Sequence, residues 1–190
     1  KLLEALEKKH PASTSPTSPT KRVSSDLTED FATVTHLIPM LSLDNSYDAE
    51  DLNKFDTQVR KLTERENITY TVEPKFDGGS IALIYENDLL VRAATRGNGE
   101  MGEEITIQSR TINSLPIEAA FSSKGIYRAE VRGEAVISKE RFKAINAFRA
   151  EEGLSLLANW RNSATGGLRT KDSSETARRQ LDAFIFQLGY

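Results

Sequence analysis

The sequence predicts an α+β fold in which antiparallel strands form a sheet and helices pack against its outside. Residues 81–85 carry apolar side chains on both strand faces, which is typical of a buried strand. The turn Glu86-Asn87-Asp88 then leads into a returning strand over residues 89–96, so the two strands form a hairpin. Apolar residues at helical spacing follow Asp48, which can cap a helix, and again follow Ser138.

The N-terminal part is predicted to contain a helix end, a linker and a loop. Leucines at positions 2, 3 and 6 indicate an amphipathic helix that stops before Pro11. Residues 11–20 are rich in proline, serine and threonine, which predicts an extended linker. Residues 37–45 are apolar but interrupted by Pro39, which favours a loop or a short edge segment.

The remaining elements are predicted in chain order from residue 48. The helix that follows Asp48 places four apolar side chains on one face: Leu52, Phe55, Val59 and Leu62. Residues 69–73 predict a short strand, and glycines at 97, 99 and 102 predict a loop. Residues 127–137 predict another strand, and the helix after it has three inward side chains: Phe142, Ile145 and Phe148. Residues 181–188 predict the last strand.

Composition sets broad limits on the kind of protein. The 190 residues suit one compact domain, or one domain with a short appendage. The absence of cysteine excludes disulfides and thiolate metal sites and fits a reducing cytoplasm, which is the location we expect. No apolar run is long enough to span a bilayer, so we expect no membrane partner. The net charge of -3 means that any nucleic-acid contact must come from local clusters of positive charge.

The first candidate site is the segment Glu73-Pro74-Lys75-Phe76-Asp77-Gly78-Gly79. We expect Lys75 where the strand over 69–73 meets the strand that starts near residue 80. A lysine amine becomes nucleophilic when it is desolvated or lies near other cations, because both favour its neutral form. Asp77 and Glu73 could orient the amine, accept ribose hydrogen bonds or hold a metal, and Gly78 and Gly79 could let a nucleotide approach the backbone. The alternative is a solvated hairpin with surface ion pairs.

Two further motifs place charges next to predicted strands. Residues 95–104 form a glycine-rich loop whose amides could cradle phosphate, with Arg96 able to meet a phosphate or stack on a base. A plain flexible turn is the alternative. Glu130, Arg132 and Glu134 share one face of their strand, and buried charges without partners are costly. That face is therefore either exposed or lines a polar cleft.

A fourth motif covers residues 159–169 and combines Arg161 and Arg169 with small polar residues and one aromatic side chain. Arginines in such a loop suit contact with a phosphate backbone, whereas a solvated basic surface is the alternative. His10 and His36 lack a partnering cluster, so the sequence assigns them no role. The sequence contains no Cys/His metal spacing, no Walker loop and no nucleophile-elbow serine.

Taken together and in this order, these motifs resemble the adenylation domain of bacterial NAD-dependent DNA ligases, across nearly the whole chain. The matching segments are Pro39-Met40-Leu41-Ser42-Leu43-Asp44-Asn45, Glu73-x-Lys75-x-Asp77-Gly78, Thr95-Arg96-Gly97-x-Gly99-x-x-Gly102-Glu103, Glu130-Val131-Arg132-Gly133-Glu134, and Ala158-Asn159-x-Arg161-Asn162 with Leu168-Arg169. The resemblance implies a nucleotidyltransferase core, similar to the ATP-grasp fold, of antiparallel sheets flanked by helices. It also implies that residues 1–10 are a remnant of an N-terminal domain that recognises nicotinamide mononucleotide. Residues 11–22 would be a linker and residues 23–190 an adenylation domain, incomplete at its C-terminus.

The chemistry that the resemblance implies is covalent nucleotidyl transfer. Lys75 would attack the α-phosphate of NAD to give lysyl-AMP, and the AMP would then be used to seal nicks in duplex DNA during replication and repair. Mg2+ would offset the phosphate charge. We expect NAD and nicked duplex DNA as partners, and a monomeric protein.

The resemblance also assigns residues by position. Ser42 and Leu43 would contact the adenosine, and Glu73 the adenine. Arg96 would meet the ribose or phosphate, and Glu134 the ribose or a metal ion. Asp77 would help hold the ribose and the nucleophile, and two arginines would meet the nicked duplex: Arg161 and Arg169.

The chain also departs from the family pattern. Trp160 stands where proline is usual, Thr165-Gly166-Gly167 differs from the usual small-residue run, and Asn98 replaces a common aspartate. The sequence ends before two later lysine motifs of the family, which predicts a partial enzyme with little or no self-adenylation on its own. Two alternatives remain, a nucleotide-binding module that has lost catalysis and an ATP-using nucleotidyltransferase. Segments 39–45 and 95–103 favour the NAD-dependent group over the ATP-using one.

Overall fold

A computed structural model describes residues 2–13, 15, 18, 20 and 31–190. The helices are α1 (Leu2–Lys9), α2 (Ala49–Thr63), α3 (Thr106–Arg110), α4 (Lys139–Glu151), α5 (Trp160–Leu168) and α6 (Ser173–Arg179). The strands are β1 (Thr33–Thr35), β2 (Gly79–Glu86), β3 (Leu89–Thr95), β4 (Met101–Glu103), β5 (Arg128–Val136) and β6 (Asp182–Gly189). Helices combined with antiparallel sheets confirm the predicted α+β class.

The larger sheet has four antiparallel strands in the order β3-β2-β5-β6. Asn87 and Asp88 turn β2 into β3 with positive φ angles of 48° and 72°, which suits the short polar side chains at those positions. In the pairing of β2 with β5, Ser80 lies opposite Glu134. Because side chains alternate along a strand, Glu134 shares its sheet face with the three other charged residues of β5, namely Arg128, Glu130 and Arg132.

The two faces of this sheet are covered differently. The main apolar core lies on one face and contains side chains from the sheet, from α5 and from the segments around α3: Ile81, Leu83, Tyr85, Leu90, Ala93, Ile105, Ile112, Leu115, Val131, Ala135, Ile137, Ala164, Leu168 and Leu181. On the other face Val34 of β1 packs with Ile84 and Ala94. The polar side chains of β5 therefore lie on the face opposite the main core.

Several predicted elements are confirmed, and others need correction. The strands β2, β3, β5 and β6 and the helices α1, α2 and α4 lie where the sequence placed them. Residues 69–73 do not form the predicted strand, because they pair with no neighbouring strand and the Val72 side chain is 94% exposed. The glycine loop is partly regular, since Gly102 belongs to β4 and pairs with Val34.

Three short helices were not predicted, namely α3, α5 and α6. In α4, Phe142 and Ile145 pack against the core as expected, whereas Phe148 is 55% exposed, so its predicted inward position is wrong. In α2 the predicted apolar face contains no buried residue.

The predicted extended linker lies largely outside the described residues. Positions 14, 16, 17, 19, 21 and 22 are among those that are not described. Pro11–Ser13 forms a 3₁₀ turn rather than extended chain, and the Thr20 hydroxyl donates to Glu7 over 2.5 Å. In the part of the chain that is described, no helix is long and apolar enough to cross a membrane. The chain divides into two compact units, one of residues 1–40 and 76–190 and one of residues 41–75.

Candidate functional site

Four predicted site residues belong to the unit of residues 41–75, namely Ser42, Leu43, Glu73 and Lys75, and all four are exposed. In this unit Asp48 caps α2, because its carboxylate accepts a hydrogen bond from the Asp51 amide at 2.9 Å. Lys75 lies on irregular chain without strand pairing, four residues before β2 begins at Gly79. The prediction that Lys75 lies between two strands is therefore wrong.

The chain that leads to Lys75 is tied to α2 within the same unit. Asp56 accepts hydrogen bonds from Arg60 Nε at 2.7 Å and from the Tyr70 hydroxyl at 2.8 Å. The bond from Arg60, followed by that from Tyr70, holds the pKa of Asp56 below its usual value. The ring of Tyr70 also lies 5.9 Å from that of Phe55, centroid to centroid.

The chain immediately after Lys75 is fixed on the sheet. The Phe76 ring stacks on Phe184 of β6 with 3.9 Å between centroids and 5° between planes. The Gly78 amide donates to Glu134 Oε1 at 3.1 Å. A Cβ at Gly78 would overlap the carbonyl oxygen of Ala135, so close packing on β5 requires glycine at this position. That packing accounts for glycine at this position.

Glu134 connects the third motif to the lysine-containing first motif. Its second oxygen, Oε2, accepts a hydrogen bond from the Ser80 hydroxyl at 2.8 Å. The Glu134 side chain is half-buried, and two donors on β2 or just before it fix the carboxylate. A carboxylate has about four acceptor positions, so lone pairs remain for a ribose hydroxyl or a metal ion.

The glycine-rich second motif forms a tight turn after β3. Gly97 has φ of 55°, and a Cβ there would overlap the Met101 carbonyl oxygen, so the turn requires glycine. Asn98 Oδ1 accepts hydrogen bonds from the amides of Glu100 at 3.0 Å and Met101 at 2.8 Å. An aspartate oxygen could accept the same two bonds, so asparagine preserves the turn.

The backbone amides of this turn donate hydrogen bonds within the protein, which bears on the prediction that they cradle a phosphate. The Asn98 amide donates to the Met101 carbonyl, and the Gly99 amide donates to the Arg96 carbonyl at 3.0 Å. The four amides of residues 98–101 therefore serve the turn itself rather than a phosphate. The exposed Arg96 side chain, directly after β3, remains the phosphate- or base-binding candidate of this motif.

The two arginines of the fourth motif lie at the ends of α5, not in the predicted loop. Asn159 caps this helix by accepting from the Asn162 amide at 2.7 Å. Arg161 Nη1 lies 3.3 Å from Asp77 Oδ1, with both side chains about 60% exposed. Arg169 donates to both oxygens of Glu103 over 2.6 Å each. The guanidinium groups are thus held in carboxylate pairs at the surface, where such pairs are weak and exchangeable.

At Glu130 and Arg132 the charged face of β5 is neither exposed nor an open cleft. Glu130 is 1% exposed and Arg132 5% exposed, and the two form a salt bridge over 2.6 Å. The segment of residues 37–39 covers them through hydrogen bonds to its backbone. His36, to which the sequence assigned no role, is also buried on this face. In the sequence His36 stands directly before the apolar segment of residues 37–45, and this position was the missed signal that the histidine is buried.

The described residues contain no group of three His, Cys, Asp or Glu side chains arranged to hold a metal ion. Mg2+ often binds through only one or two carboxylates and takes its other ligands from water and substrate phosphates. Glu134, with lone pairs left over, fits such a role, so the donor set is compatible with the metal.

Comparison with known proteins gives matches over most or all of the chain. A family model described as the NAD-dependent DNA ligase adenylation domain matches residues 28–190. The chain is 54% identical over its full length to a DNA ligase of Sulfurihydrogenibium sp. strain YO3AOP1, of which it covers 27%. It is also 51% identical over its full length to a DNA ligase of Aquifex aeolicus, covering 26% of that protein.

A more distant relative gives a similar alignment. The chain is 47% identical to a DNA ligase of Pelotomaculum thermopropionicum over 99% of its own length and 27% of that protein. It thus spans about a quarter of the length of the curated relatives it matches. Because the family model covers 163 of the 190 residues, counted from 28 to 190, the chain belongs to the NAD-dependent DNA ligase adenylation domain family.

Proposed function

We propose that, within the full natural protein, this chain forms a covalent lysyl-AMP from NAD and supplies the AMP for sealing nicks in duplex DNA. One observation carries the proposal. Glu134 of the third motif accepts a hydrogen bond from the amide of Gly78, three residues after Lys75, so two motifs that are far apart in sequence meet. Family membership over residues 28–190 supports the same chemistry.

The proposed reaction has three steps. The neutral amine of Lys75 attacks the α-phosphorus of NAD, a P–N bond forms as the nitrogen loses a proton, and nicotinamide mononucleotide leaves with the electron pair of the broken P–O bond. A 5′-phosphate oxygen at the nick then attacks the same phosphorus, the P–N bond breaks, and the lysine nitrogen leaves with its electron pair and takes up a proton. Finally the 3′-hydroxyl loses its proton and attacks the 5′-phosphorus, joins the strands and releases AMP.

The residues of the unit 41–75 are proposed to bind the nucleotide. Ser42 and Leu43 would contact the adenosine, and Glu73 would accept a hydrogen bond from the adenine amine. Their exposure leaves these side chains accessible to a ligand. Lys75 would then be the only one of the four that forms a covalent bond.

The sheet residues are proposed to organise the ribose and phosphates. Glu134 would accept a ribose hydroxyl bond or bind Mg2+, which would offset phosphate charge when bound. Asp77 would hold the ribose and orient the lysine amine, and Arg96 would face the ribose or a phosphate. Preorganisation of Glu134 by two donors supports this role, because a fixed carboxylate needs little rearrangement on binding.

Arg161 and Arg169 are proposed to bind phosphates of the nicked duplex. Each would exchange its carboxylate partner for a phosphate, since Arg binds both in the same fork geometry. We further propose a nucleotidyltransferase core, similar to the ATP-grasp fold, over residues 23–190, joined through residues 11–22 to an N-terminal domain that includes residues 1–10. The proposed working state is a monomer.

Adenylate-labelled NAD and ATP, offered separately to the full natural protein, test this proposal. We expect label from NAD only, no label in Lys75→Ala, and full label in Lys61→Ala, which removes an exposed lysine of α2 in the same unit. Label from ATP in place of NAD would support an ATP-using nucleotidyltransferase instead. No label from either nucleotide would contradict the proposal and favour a nucleotide-binding module without catalysis.

A further inference from the structure

Two charged side chains of β5 are buried and form a pair that needs further partners. Arg132 donates to Glu130 Oε1 through Nε at 2.8 Å and through Nη2 at 2.6 Å. Desolvation of such a pair is costly unless additional hydrogen bonds satisfy the remaining donors and acceptors. The further hydrogen-bond partners of this pair therefore indicate which part of the protein the two charged side chains hold in place.

The partners are backbone groups of three consecutive residues. Glu130 Oε2 accepts from the Leu37 amide at 2.7 Å. Arg132 donates through Nη1 to the Pro39 carbonyl at 3.1 Å and through Nη2 to the Ile38 carbonyl. Residues 36–40 form no helix or strand, so side-chain hydrogen bonds replace a regular ladder in fixing this backbone.

His36 connects the same segment to the glycine-rich turn. Its Nε2 lies 3.1 Å from the Arg96 carbonyl, and a carbonyl only accepts, so Nε2 carries the proton. Its Nδ1 lies 3.9 Å from Glu130 Oε2. The Met40 amide donates to the Gly99 carbonyl at 2.7 Å, so the other end of the segment is also bound to the glycine-rich turn.

We infer that Glu130, Arg132 and His36 are positioning residues that fix residues 37–40 and thereby direct Ser42 and Leu43 to the adenosine. This inference rests on the proposed function. Met40 is only two residues before Ser42, so the direction in which the chain leaves Met40 limits where Ser42 can reach. The three side chains need no contact with the nucleotide to act in this way.

The test compares Arg132→Lys with Arg128→Lys in the full natural protein. Lysine at 132 keeps the charge opposite Glu130, but one ammonium cannot replace the planar fork that spans two carbonyls. Arg128 lies on the same strand and pairs with Glu86 at 3.3 Å, with both side chains well exposed, which makes it a matched control. Steady-state kinetics for NAD and hydrogen exchange of residues 36–43 are measured on both variants.

We expect Arg132→Lys to raise the KM for NAD about tenfold while kcat stays within about threefold, because recognition rather than chemistry is affected. Amide exchange over residues 36–43 should become about tenfold faster, with Arg128→Lys unchanged in both measurements. His36→Phe keeps an aromatic ring but loses the Nε2 donor, so it should raise the KM in the same direction.

Two results would overturn the inference. One is an unchanged KM with unchanged exchange in both Arg132→Lys and His36→Phe. The other is a fall in kcat at constant KM, which indicates loss of folded enzyme rather than loss of positioning. Failure of the proposed function is distinguishable, since the wild-type protein would then form no lysyl-AMP from NAD.

Discussion

Replacement of Glu134 separates the carboxylate charge from the hydrogen bonds that hold it. Glutamine has nearly the same shape, its Oε1 can accept from the Gly78 amide, and its Nε2 can donate to the Ser80 hydroxyl, which rotates to accept. Glu134→Gln therefore keeps both contacts and removes the charge. Glu134→Ala removes the contacts as well and leaves the buried Gly78 amide without this acceptor.

The expected magnitudes follow from these contacts. Hydrogen bonds to a charged group contribute about 1.5–3 kcal/mol each, and Glu134 is only half-buried, so Glu134→Ala should lower the free energy of unfolding by about 3 kcal/mol. Glu134→Gln should cost about 1 kcal/mol or less, because the Gly78 amide keeps its acceptor and the Ser80 hydroxyl keeps a hydrogen bond to the side chain by accepting instead of donating. The rate of lysyl-AMP formation should nevertheless fall about 100-fold in Glu134→Gln, equivalent to about 2.7 kcal/mol.

The assay is label transfer from NAD together with calorimetric unfolding of the full natural protein. Glu86→Gln is the matched control, since Glu86 lies on β2 as an exposed partner of Arg128. Glu134→Gln with a wild-type labelling rate would refute the role of the carboxylate charge. A loss of stability in Glu134→Gln equal to that in Glu134→Ala would refute the hydrogen-bond reasoning.

Three further predictions concern stability and DNA binding. Burial raises the pKa of Tyr85 to about 12, so the stability that its neutral phenol contributes is complete below pH 10 and is lost as the pH rises towards 12. Urea unfolding of the wild-type protein should show the free energy of unfolding falling by about 2 kcal/mol as the pH rises from 10 to 12, and Tyr85→Phe should abolish this fall. An unchanged pH dependence in Tyr85→Phe would contradict this. For binding to nicked DNA, Arg169→Ala should reduce the slope of log affinity against log salt concentration by about 0.9. The control Arg178→Ala should leave this slope unchanged. Equal slopes in both variants would argue against phosphate binding by Arg169. Loss of the α5 cap in Asn159→Ala should lower the free energy of unfolding by about 1 kcal/mol, and an unchanged melting temperature would contradict this.

Strong periodic patterns made the central sheet predictable. Residues 81–85 are apolar on both faces, and the Asn87-Asp88 turn suits positive φ, so the hairpin of β2 and β3 followed from local sequence. Residues 69–73 also alternate, but a strand exists only where a neighbour offers backbone partners. Pairing of that kind depends on the tertiary structure, which a local pattern cannot reveal.

The short helices were missed because their residues carry little apolar periodicity. In α5 only Trp160, Ala164 and Leu168 could indicate a buried face, and Gly166 and Gly167 are poor helix formers. Asn159, which caps the helix, was the usable signal, as Asp172 was for α6.

The candidate site shows the same limit at the level of single residues. The alternation of β5 correctly placed Glu130 and Arg132 on one face, but whether that face meets water or another segment depends on contacts between residues about 93 apart in sequence. The sequence therefore left two alternatives open, and the structure gave a third, a buried pair that holds loop backbone.

The site of covalent modification is the most direct measurement of the central claim. The full natural protein is incubated with NAD without DNA, digested and mapped by mass spectrometry under alkaline conditions, since a P–N bond to lysine hydrolyses in acid. We predict AMP on the peptide that contains Lys75 and on no other lysine of this chain. AMP on a different residue, or an unmodified Lys75 peptide in an enzyme that seals nicks, would contradict the account.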